Sequence, residues 1–301
     1  MLLRVLLLSL SSSRYHPLSS ENYQTARSAP GKPHSVNTKQ HSRNGLRLIF
    51  YHKQCRIIEL MMNNTLNKSL RKRIGQALGE WHMINEGDRI LVGLSGGKDS
   101  LILLQALHEF QRRSPKKFSL AALSVKLTGM NTKPLTQYCI QNQIAYDVIE
   151  HPIIEIIEYR KERSPCSFCA NMRRGLLASW ASEKGFNKLA LGHTLDDAIE
   201  TFFMNLLQTG RAKSFQPVAY MSRTGVTVIR PLVLSTEAAI IDEVKRLELP
   251  IIPSACPYAG HTNRQWTREF VADLRGRVPD LYAKILNALR EISWGTQESN
   301  S

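Results

Sequence analysis

Acidic residues are scarce in this chain of 301 residues, in which 25 Asp and Glu stand against 40 Lys and Arg. The formal net charge of +15 and the pI of about 9.8 favour contact with polyanions, of which nucleic acid is the simplest. A basic composition alone does not establish such a partner. The charge therefore indicates a class of ligand that a specific motif has to support.

Long apolar runs and cysteines are also few. No stretch of 18 apolar residues occurs, which argues against a membrane-spanning helix. The five cysteines are an odd and low number for this length, and they argue against a disulfide framework. We therefore expect a cytoplasmic protein of one or two domains with a sizeable core and no membrane contact.

Residues 1–61 differ in composition from the rest, with nine Lys and Arg, two Asp and Glu, and no sustained apolar period. We predict a disordered N-terminal extension. Of three origins, we favour a mis-assigned start codon, with Met62 opening the folded protein. A transit peptide, which would place the protein in mitochondria, fits the absence of acids before Glu21. A secretory signal fits least, because the apolar core Val5–Leu10 is short.

Apolar periodicity becomes regular after Asn64 and predicts a domain over residues 62–301 that ends in two helices at 264–292. Its first helix follows from a four-residue apolar repeat, namely Leu66, Leu70, Ile74 and Leu78. Predicted strands are 89–94, 119–125, 145–149, 187–191 and 226–230. Predicted helices between or after them are 99–112, 134–143, 170–184, 195–208 and 236–247. This alternation predicts an α/β, Rossmann-like, mostly parallel five-stranded sheet with helices on both faces, whose ligands bind at the carboxyl ends of the strands.

The hinge SGGKDS (Ser95–Ser100) joins the first predicted strand to a helix. Gly96 and Gly97 let backbone amides face an anion, and Lys98 and the helix N-terminus add positive charge. The hinge is neither a Walker A loop nor a dinucleotide G-x-G-x-x-G fingerprint, and Asp99 stands where Walker A needs Ser or Thr. A purely structural turn is the alternative, but the combination favours a phosphate site of another kind.

Cys166 and Cys169 form a C-x-x-C pair at the start of a predicted helix, and Cys256 follows much later in the chain. The pair alone is compatible with a redox dithiol or with a metal site. A zinc site would need a second pair of ligands at zinc spacing, which the sequence lacks. Together with Cys256, the pair could instead hold an iron–sulfur cluster with one iron open to a substrate.

The segment LALGHTLDDAIETFF runs from a predicted strand through His193 into a helix that carries Asp196, Asp197 and Glu200. Acids in a first turn also suit the helix dipole, so a structural role competes with a chemical one. The position beside the phosphate loop favours chemistry, because magnesium would need carboxylates near the phosphates.

Five segments, SGGKDS, CSFCANMRRG, LALGHTLDDAIETFF, VIRPL and CPYAGHTNR, occur in this order and together resemble the tRNA 2-thiocytidine synthetase group of the PP-loop ATPases. The resemblance covers about residues 64–290 and implies an adenine nucleotide α-hydrolase (HUP-type) fold. It also implies that ATP adenylates O2 of a cytidine in the tRNA anticodon loop, and that sulfur displaces AMP to leave 2-thiocytidine. The implied cofactors are ATP, Mg²⁺ and a [4Fe-4S] cluster.

The resemblance also implies roles for individual residues. ATP is expected at Ser95, Gly96, Gly97, Lys98, Asp99, Ser100 and His193. The cluster is expected on Cys166, Cys169 and Cys256. Related thiouridine enzymes use an aspartate of the Asp-Asp pair and a basic residue after C-x-x-C, which gives Asp197 and Arg173 as catalytic residues beside Cys166 and Cys169. The implied partners are tRNA and a sulfur donor such as a cysteine desulfurase, and a homodimer is left open.

One position departs from the family pattern, because Lys126 stands where an acid often ends the second strand; this puts the nucleotide contacts of residues 124–128 in doubt. Among candidate RNA contacts we single out RRSPKK (residues 112–117), predicted to lie in a loop, and Trp266, which could stack on a base or belong to the core. Three other functions remain open: a tRNA 2-thiouridine thiolase, a tRNA lysidine synthetase and a non-catalytic iron–sulfur RNA-binding protein. The intact SGGKDS argues against the last of these.

Overall fold

The computed structural model of the chain describes residues 65–253, 257–258 and 263–295. The predicted N-terminal extension, residues 1–61, and the predicted cluster ligand Cys256 lie outside the described residues. No helix in the described ranges is long and apolar enough to cross a membrane.

Six strands form one sheet in the order β3-β2-β1-β4-β6-β5. They are β1 (Arg89–Gly93), β2 (Ser119–Lys126), β3 (Ala145–Glu150), β4 (Lys188–Ala190), β5 (Val218–Met221) and β6 (Val226–Ile229). All neighbouring strands pair in parallel except β5, which runs antiparallel to β6. The central strand β1 is apolar on both faces because helices cover both sides of the sheet.

Nine helices surround this sheet in the described part of the chain. They are α1 (Lys68–Glu80), α2 (Lys98–Arg113), α3 (Lys133–Gln141), α4 (Ile153–Arg160), α5 (Pro165–Glu183), α6 (Leu195–Thr209), α7 (Glu237–Arg246), α8 (Asn263–Arg277) and α9 (Leu281–Ile292). Ile90 and Val92 pack with α1 and α2 on one face, whereas Leu91 packs with α4 and α5 on the other. The predicted class, a Rossmann-like and mostly parallel sheet with helices on both faces, is confirmed.

Two predictions need correction. The sheet has six strands, because the edge strand β5 is only four residues long and half exposed, and so lacks a buried apolar run that the sequence could reveal. The predicted helix 170–184 begins earlier, at Pro165 of α5, where proline suits the first helical position because its missing N–H needs no partner. The separate helix α4 was also not predicted.

The strand order reverses between β1 and β4, whose carboxyl ends lie side by side. SGGKDS follows β1, and the His193 segment follows β4. Ligands of such sheets bind in the crevice at this reversal. The fold therefore brings the two most distinctive segments of the sequence to one place.

Candidate active site

The phosphate loop is shaped by its own serines and glycines. Gly96 has a φ of +81°, in the left-handed region that favours glycine. Ser95 N–H donates to Ser100 Oγ (3.1 Å), and Ser100 Oγ in turn donates to the Gly97 carbonyl (2.9 Å). The Gly96 carbonyl accepts from Ile252 N–H at 2.9 Å, so the segment that leads toward Cys256 is anchored on the loop.

Lys98, in the first turn of α2, contacts two carboxylates. Its Nζ lies 2.7 Å from Glu237 Oε1 and 3.1 Å from Asp99 Oδ2. Burial lowers the pKa of Lys98, but the bonds and charges of Glu237 and Asp99 outweigh it and raise the pKa overall. Burial raises the pKa of Asp99, against the charge of Lys98. An incoming phosphate would meet a charged lysine that two acids already hold.

Gly192, just after β4, permits the close approach of the two segments. A Cβ at this position would lie 3.0 Å from the Asp99 carbonyl carbon, 3.1 Å from its oxygen and 3.2 Å from Ser100 N. These are backbone atoms, which cannot move aside like a flexible side chain. Glycine is therefore required here for the β4–α6 turn to lie against the start of α2.

Asp197 closes the N-terminus of α6. Its Oδ2 accepts from Thr194 N–H at 2.9 Å, and its own N–H donates to Thr194 Oγ1 at 3.2 Å, which is a capping box. Its other oxygen, Oδ1, lies 3.4 Å from an Arg264 guanidinium nitrogen. The predicted catalytic aspartate is thus held in one orientation between the helix end and α8.

The other acids of α6 have structural partners. Asp196 Oδ2 accepts from Glu237 N–H (2.6 Å), and its Oδ1 accepts from Tyr282 Oη–H (2.8 Å). The buried Glu200 pairs with Arg264 (3.2 Å) and Arg268 (2.9 Å) on α8. In the ranges that the structure describes, no three His, Cys, Asp or Glu side chains converge as a metal site.

His193 is a neutral imidazole at neutral pH. Burial lowers its pKa to about 4, and the charge of Arg230 acts in the same direction, whereas Asp197 opposes it. Phe215 contacts both His193 and Arg230. Its ring centroid is 4.9 Å from that of His193 and 5.0 Å from the Arg230 guanidinium carbon. Within the described residues, His193 Nδ1 is buried and has no hydrogen-bond partner, so it can serve a ligand.

The two thiols of the C-x-x-C pair lie in the first turns of α5, three residues apart and therefore on one side of the helix. Cys166 is exposed and Cys169 is half-buried. Cys166 Sγ lies 3.9 Å from the carbonyl oxygen of Tyr258, to which it donates. Tyr258 is two residues after Cys256, the third predicted cluster ligand. The described chain just after Cys256 therefore lies beside the C-x-x-C pair.

The sequence predicted Arg173 and Arg174 as candidate contacts but did not single out Arg230, a further cation at this edge of the sheet. Arg173 is half-buried, and its buried Nε has no partner among the described residues. Its neighbour Arg174 is exposed, and its charge lowers the pKa of both His193 and Arg230. Arg230 follows β6 directly, so its position at a strand end was a signal that could have identified it.

The basic segment RRSPKK lies far from this site. Arg112 and Arg113 form the last turn of α2 and do not lie in a loop, which corrects the prediction. The Lys117 carbonyl accepts from Gly87 N–H, just before β1, so the segment lies at the amino ends of the strands. The 16-residue helix α2 separates it from the phosphate loop by about 24 Å. These charges therefore cannot serve the reaction centre directly.

Two further predicted positions are now placed. Lys126, the last residue of β2, pairs with Glu150 on β3 at 2.5 Å, so a neighbouring strand supplies an acid where β2 lacks one. Trp266 on α8 is 53% exposed and stacks on Phe270, with ring centroids 5.6 Å apart and planes 9° apart. It is therefore a surface aromatic and not a core residue.

Comparisons with known proteins agree with this geometry. The family model of the PP-loop domain matches residues 63–273. A tRNA-cytidine(32) 2-sulfurtransferase of Tolumonas auensis is 35% identical over 77% of this chain and 78% of its own. One of Dichelobacter nodosus is 40% identical over 64% of this chain and 73% of its own. The solved U34-tRNA thiolase of Methanococcus maripaludis, with its [4Fe-4S] cluster, superposes with a TM-score of 0.62 at 25% identity, covering 74% of this chain and 77% of that one.

Proposed function

The chain belongs to the PP-loop domain family and, within it, to the tRNA-cytidine(32) 2-sulfurtransferases. From this premise we propose that it is an ATP-dependent enzyme that converts a tRNA cytidine to 2-thiocytidine. One observation carries the proposal. The segment from Ile252 to Tyr258 bonds the phosphate loop at its first residue and Cys166 at its last. The six steps along the chain from Ile252 to Tyr258 span at most about 21 Å, so nucleotide and sulfur chemistry share one site.

The first half-reaction is an adenylyl transfer. The cytidine O2 attacks the α-phosphorus of ATP, the bond to the β-phosphate oxygen breaks, and pyrophosphate leaves. The amides of Gly96 and Gly97, the start of α2 and Lys98 hold the β- and γ-phosphates, so Lys98 stabilises the charge that develops on the leaving group. Mg²⁺ would share this charge, and the loop carboxylate Asp99, whose Oδ1 has no partner among the described residues, fits such an ion.

In the second half-reaction sulfur replaces the activated oxygen and AMP leaves. Cys166, Cys169 and Cys256 would hold a [4Fe-4S] cluster, and such a cluster would supply iron to bind the sulfur. The thiols at the start of α5 fit this group, because Cys166 is exposed and contacts Tyr258, two residues after Cys256. A sulfur donor such as a cysteine desulfurase, together with a two-electron reductant, would restore the sulfide-level sulfur after each turnover.

The residues around the acceptor base complete the proposal. Asp197 and Arg173 are the assigned catalytic side chains, and His193 offers a neutral imidazole to the nucleotide. The tRNA substrate suits the net charge of +15, and the outer face of Trp266 is open to an unstacked base. A cytoplasmic location accords with this substrate.

The test uses the full-length protein, reconstituted anaerobically with iron and sulfide, together with unmodified tRNA and ATP. We expect tRNA-dependent exchange of labelled pyrophosphate into ATP, and 2-thiocytidine in the tRNA by nucleoside mass spectrometry. The Cys166→Ala variant should keep the exchange and lose the thiolation, because only the second half-reaction needs the thiols. Neither exchange nor thiolation with cluster-loaded wild-type protein would refute the proposal.

A 2-thiouridine product is the second candidate, because the fold is similar to that of a U34-tRNA thiolase. The same mass spectra decide between the two bases. 2-Thiouridine without 2-thiocytidine would replace the cytidine assignment while leaving the two half-reactions intact.

A further inference from the structure

A second concave site lies outside the phosphate loop. It has a volume of about 450 Å³ and lies among the end of α8, the start of α9, the N-termini of α6 and α7, and one residue of α1. Its polar lining comes from Arg73, Arg275, Thr236, Asp280 and Tyr282. This volume is in the range of pockets that bind small molecules or parts of larger ones.

The two arginines of this cavity have no ion-pair partner among the described residues, since no carboxylate lies within 4.0 Å of either guanidinium. Within the part of the chain that the structure describes, Arg73 donates one hydrogen bond, to the Leu234 carbonyl at 3.3 Å. Arg275 lies over the Tyr282 ring, with its guanidinium carbon 4.5 Å from the ring centroid. Stacking of this kind fixes the plane of a guanidinium and leaves its N–H groups to bond an anion.

The cavity wall is joined to the reaction centre by hydrogen bonds. Tyr282 donates to Asp196, which neighbours Asp197 and accepts from the backbone N–H of Glu237. The side chain of Glu237 contacts Lys98 of the phosphate loop. A ligand in the cavity and a nucleotide at the phosphate loop would therefore lie on opposite sides of Asp196.

We propose that this cavity binds a backbone phosphate of the RNA substrate, with Arg73 and Arg275 as its two ligands. The inference rests on the proposed tRNA substrate, and it specifies where the protein holds the RNA backbone. Two arginines and Asp280 leave a net charge of about +1, which matches the single charge of a phosphodiester. Free phosphate and pyrophosphate carry more negative charge, which Asp280 would repel. The volume leaves room for the attached ribose.

The experiment measures the affinity of full-length protein for unmodified tRNA as a function of salt, using wild type, Arg73→Gln and Arg275→Gln. Each substitution should weaken binding by about three- to tenfold and reduce the slope of log K against log [salt] by about one, because each removes one charge from a phosphate contact. Arg275→Lys keeps the charge and should keep the slope. Affinity for ATP should not change in any of these variants.

Arg277→Gln is the matched control, because Arg277 lies beside Arg275 at the end of α8 but pairs with Asp273 at 2.9 Å and does not line the cavity. An equal loss of slope in this control would overturn the inference in favour of a general surface charge. Unchanged tRNA binding with weakened binding of inorganic phosphate would make the cavity a small-anion site and would also overturn it. Wild-type protein that fails to bind tRNA would refute the proposed function itself.

Discussion

Lys98 shows what a single residue can and cannot disclose in the sequence. Its place in SGGKDS predicts a phosphate contact, but nothing in that motif announces Glu237, which comes from a different helix and lies 2.7 Å away. Asp99, which disqualifies a Walker A loop, turns out to contact the lysine at 3.1 Å. Local motifs thus identify the ligand class, whereas the counterions of the site depend on tertiary packing.

Lys98→Gln should weaken ATP binding by about 10- to 100-fold, because a charged hydrogen bond to phosphate contributes on the order of 1.5–3 kcal/mol. Equilibrium binding of ATP to the full-length protein measures this. Lys245→Gln, on the exposed side of α7, removes the same charge away from the loop and should bind ATP like wild type. Equal losses in both variants would show that the effect comes from overall charge.

His193 gives a pH prediction. Its pKa of about 4 in the folded protein lies below the ordinary histidine pKa of 6.5. As the pH falls, His193 in the unfolded chain therefore binds a proton at a higher pH than His193 in the folded protein. The stability due to the neutral imidazole is complete above about pH 6.5 and is lost as the pH falls toward 4.

An NMR titration of the His193 ring should accordingly show no midpoint between about pH 5.5 and 8, and Arg230→Met should raise the pKa by removing a nearby charge. Arg160→Met, on the exposed surface of α4, is the control and should leave the titration unchanged. A wild-type midpoint near 6.5 would contradict the burial of the imidazole.

At the scale of elements, the sequence predicts the long helices and strands but not the short ones. The strand β1, whose three central residues are buried, and the four-residue apolar repeat of α1 were predicted, because each carries an apolar pattern that packing reinforces. The edge strand β5 was not predicted, because its four residues are partly exposed and form no buried apolar run that the sequence could reveal. The contact between the β4–α6 turn and α2 was equally invisible, since it depends on a glycine far from the loop in sequence.

Gly192→Ala tests that contact. The added methyl group would meet the backbone of Asp99 and Ser100 at 3.0–3.2 Å, so we expect the two segments to separate and ATP affinity to fall by about tenfold or more. Gly75→Ala is the control, since a Cβ there meets nothing within 4 Å in the middle of α1. It should raise the free energy of unfolding by about 0.5–1 kcal/mol and leave ATP binding unchanged. Wild-type ATP affinity in Gly192→Ala would contradict the close approach.

At the scale of the whole molecule, the site joins segments that are distant in sequence. The loop follows β1, the C-x-x-C pair opens α5, and Tyr258 reaches Cys166 from a segment that also bonds Gly96. The spacing of Cys166 and Cys169 supports a redox pair and a metal site equally, because no rule of spacing relates Cys166 to Cys256. The order of five motifs, and not any one of them, carried the prediction.

Cluster content tests the assignment of the thiols. Cys166→Ala should lose the visible iron–sulfur absorbance after anaerobic reconstitution, because a three-cysteine site cannot lose a ligand without losing affinity. Cys139→Ala is the control: burial raises the pKa of this thiol to about 11, so it is not a thiolate that would bind iron. Full absorbance in Cys166→Ala would disprove the ligand set.

The central claim concerns the modified nucleoside, and nucleoside mass spectrometry of cellular tRNA tests it most directly. The account predicts that tRNA from cells lacking the gene contains no 2-thiocytidine, and that the wild-type gene restores it while a Cys166→Ala copy does not. Undiminished 2-thiocytidine in cells without the gene would contradict the account.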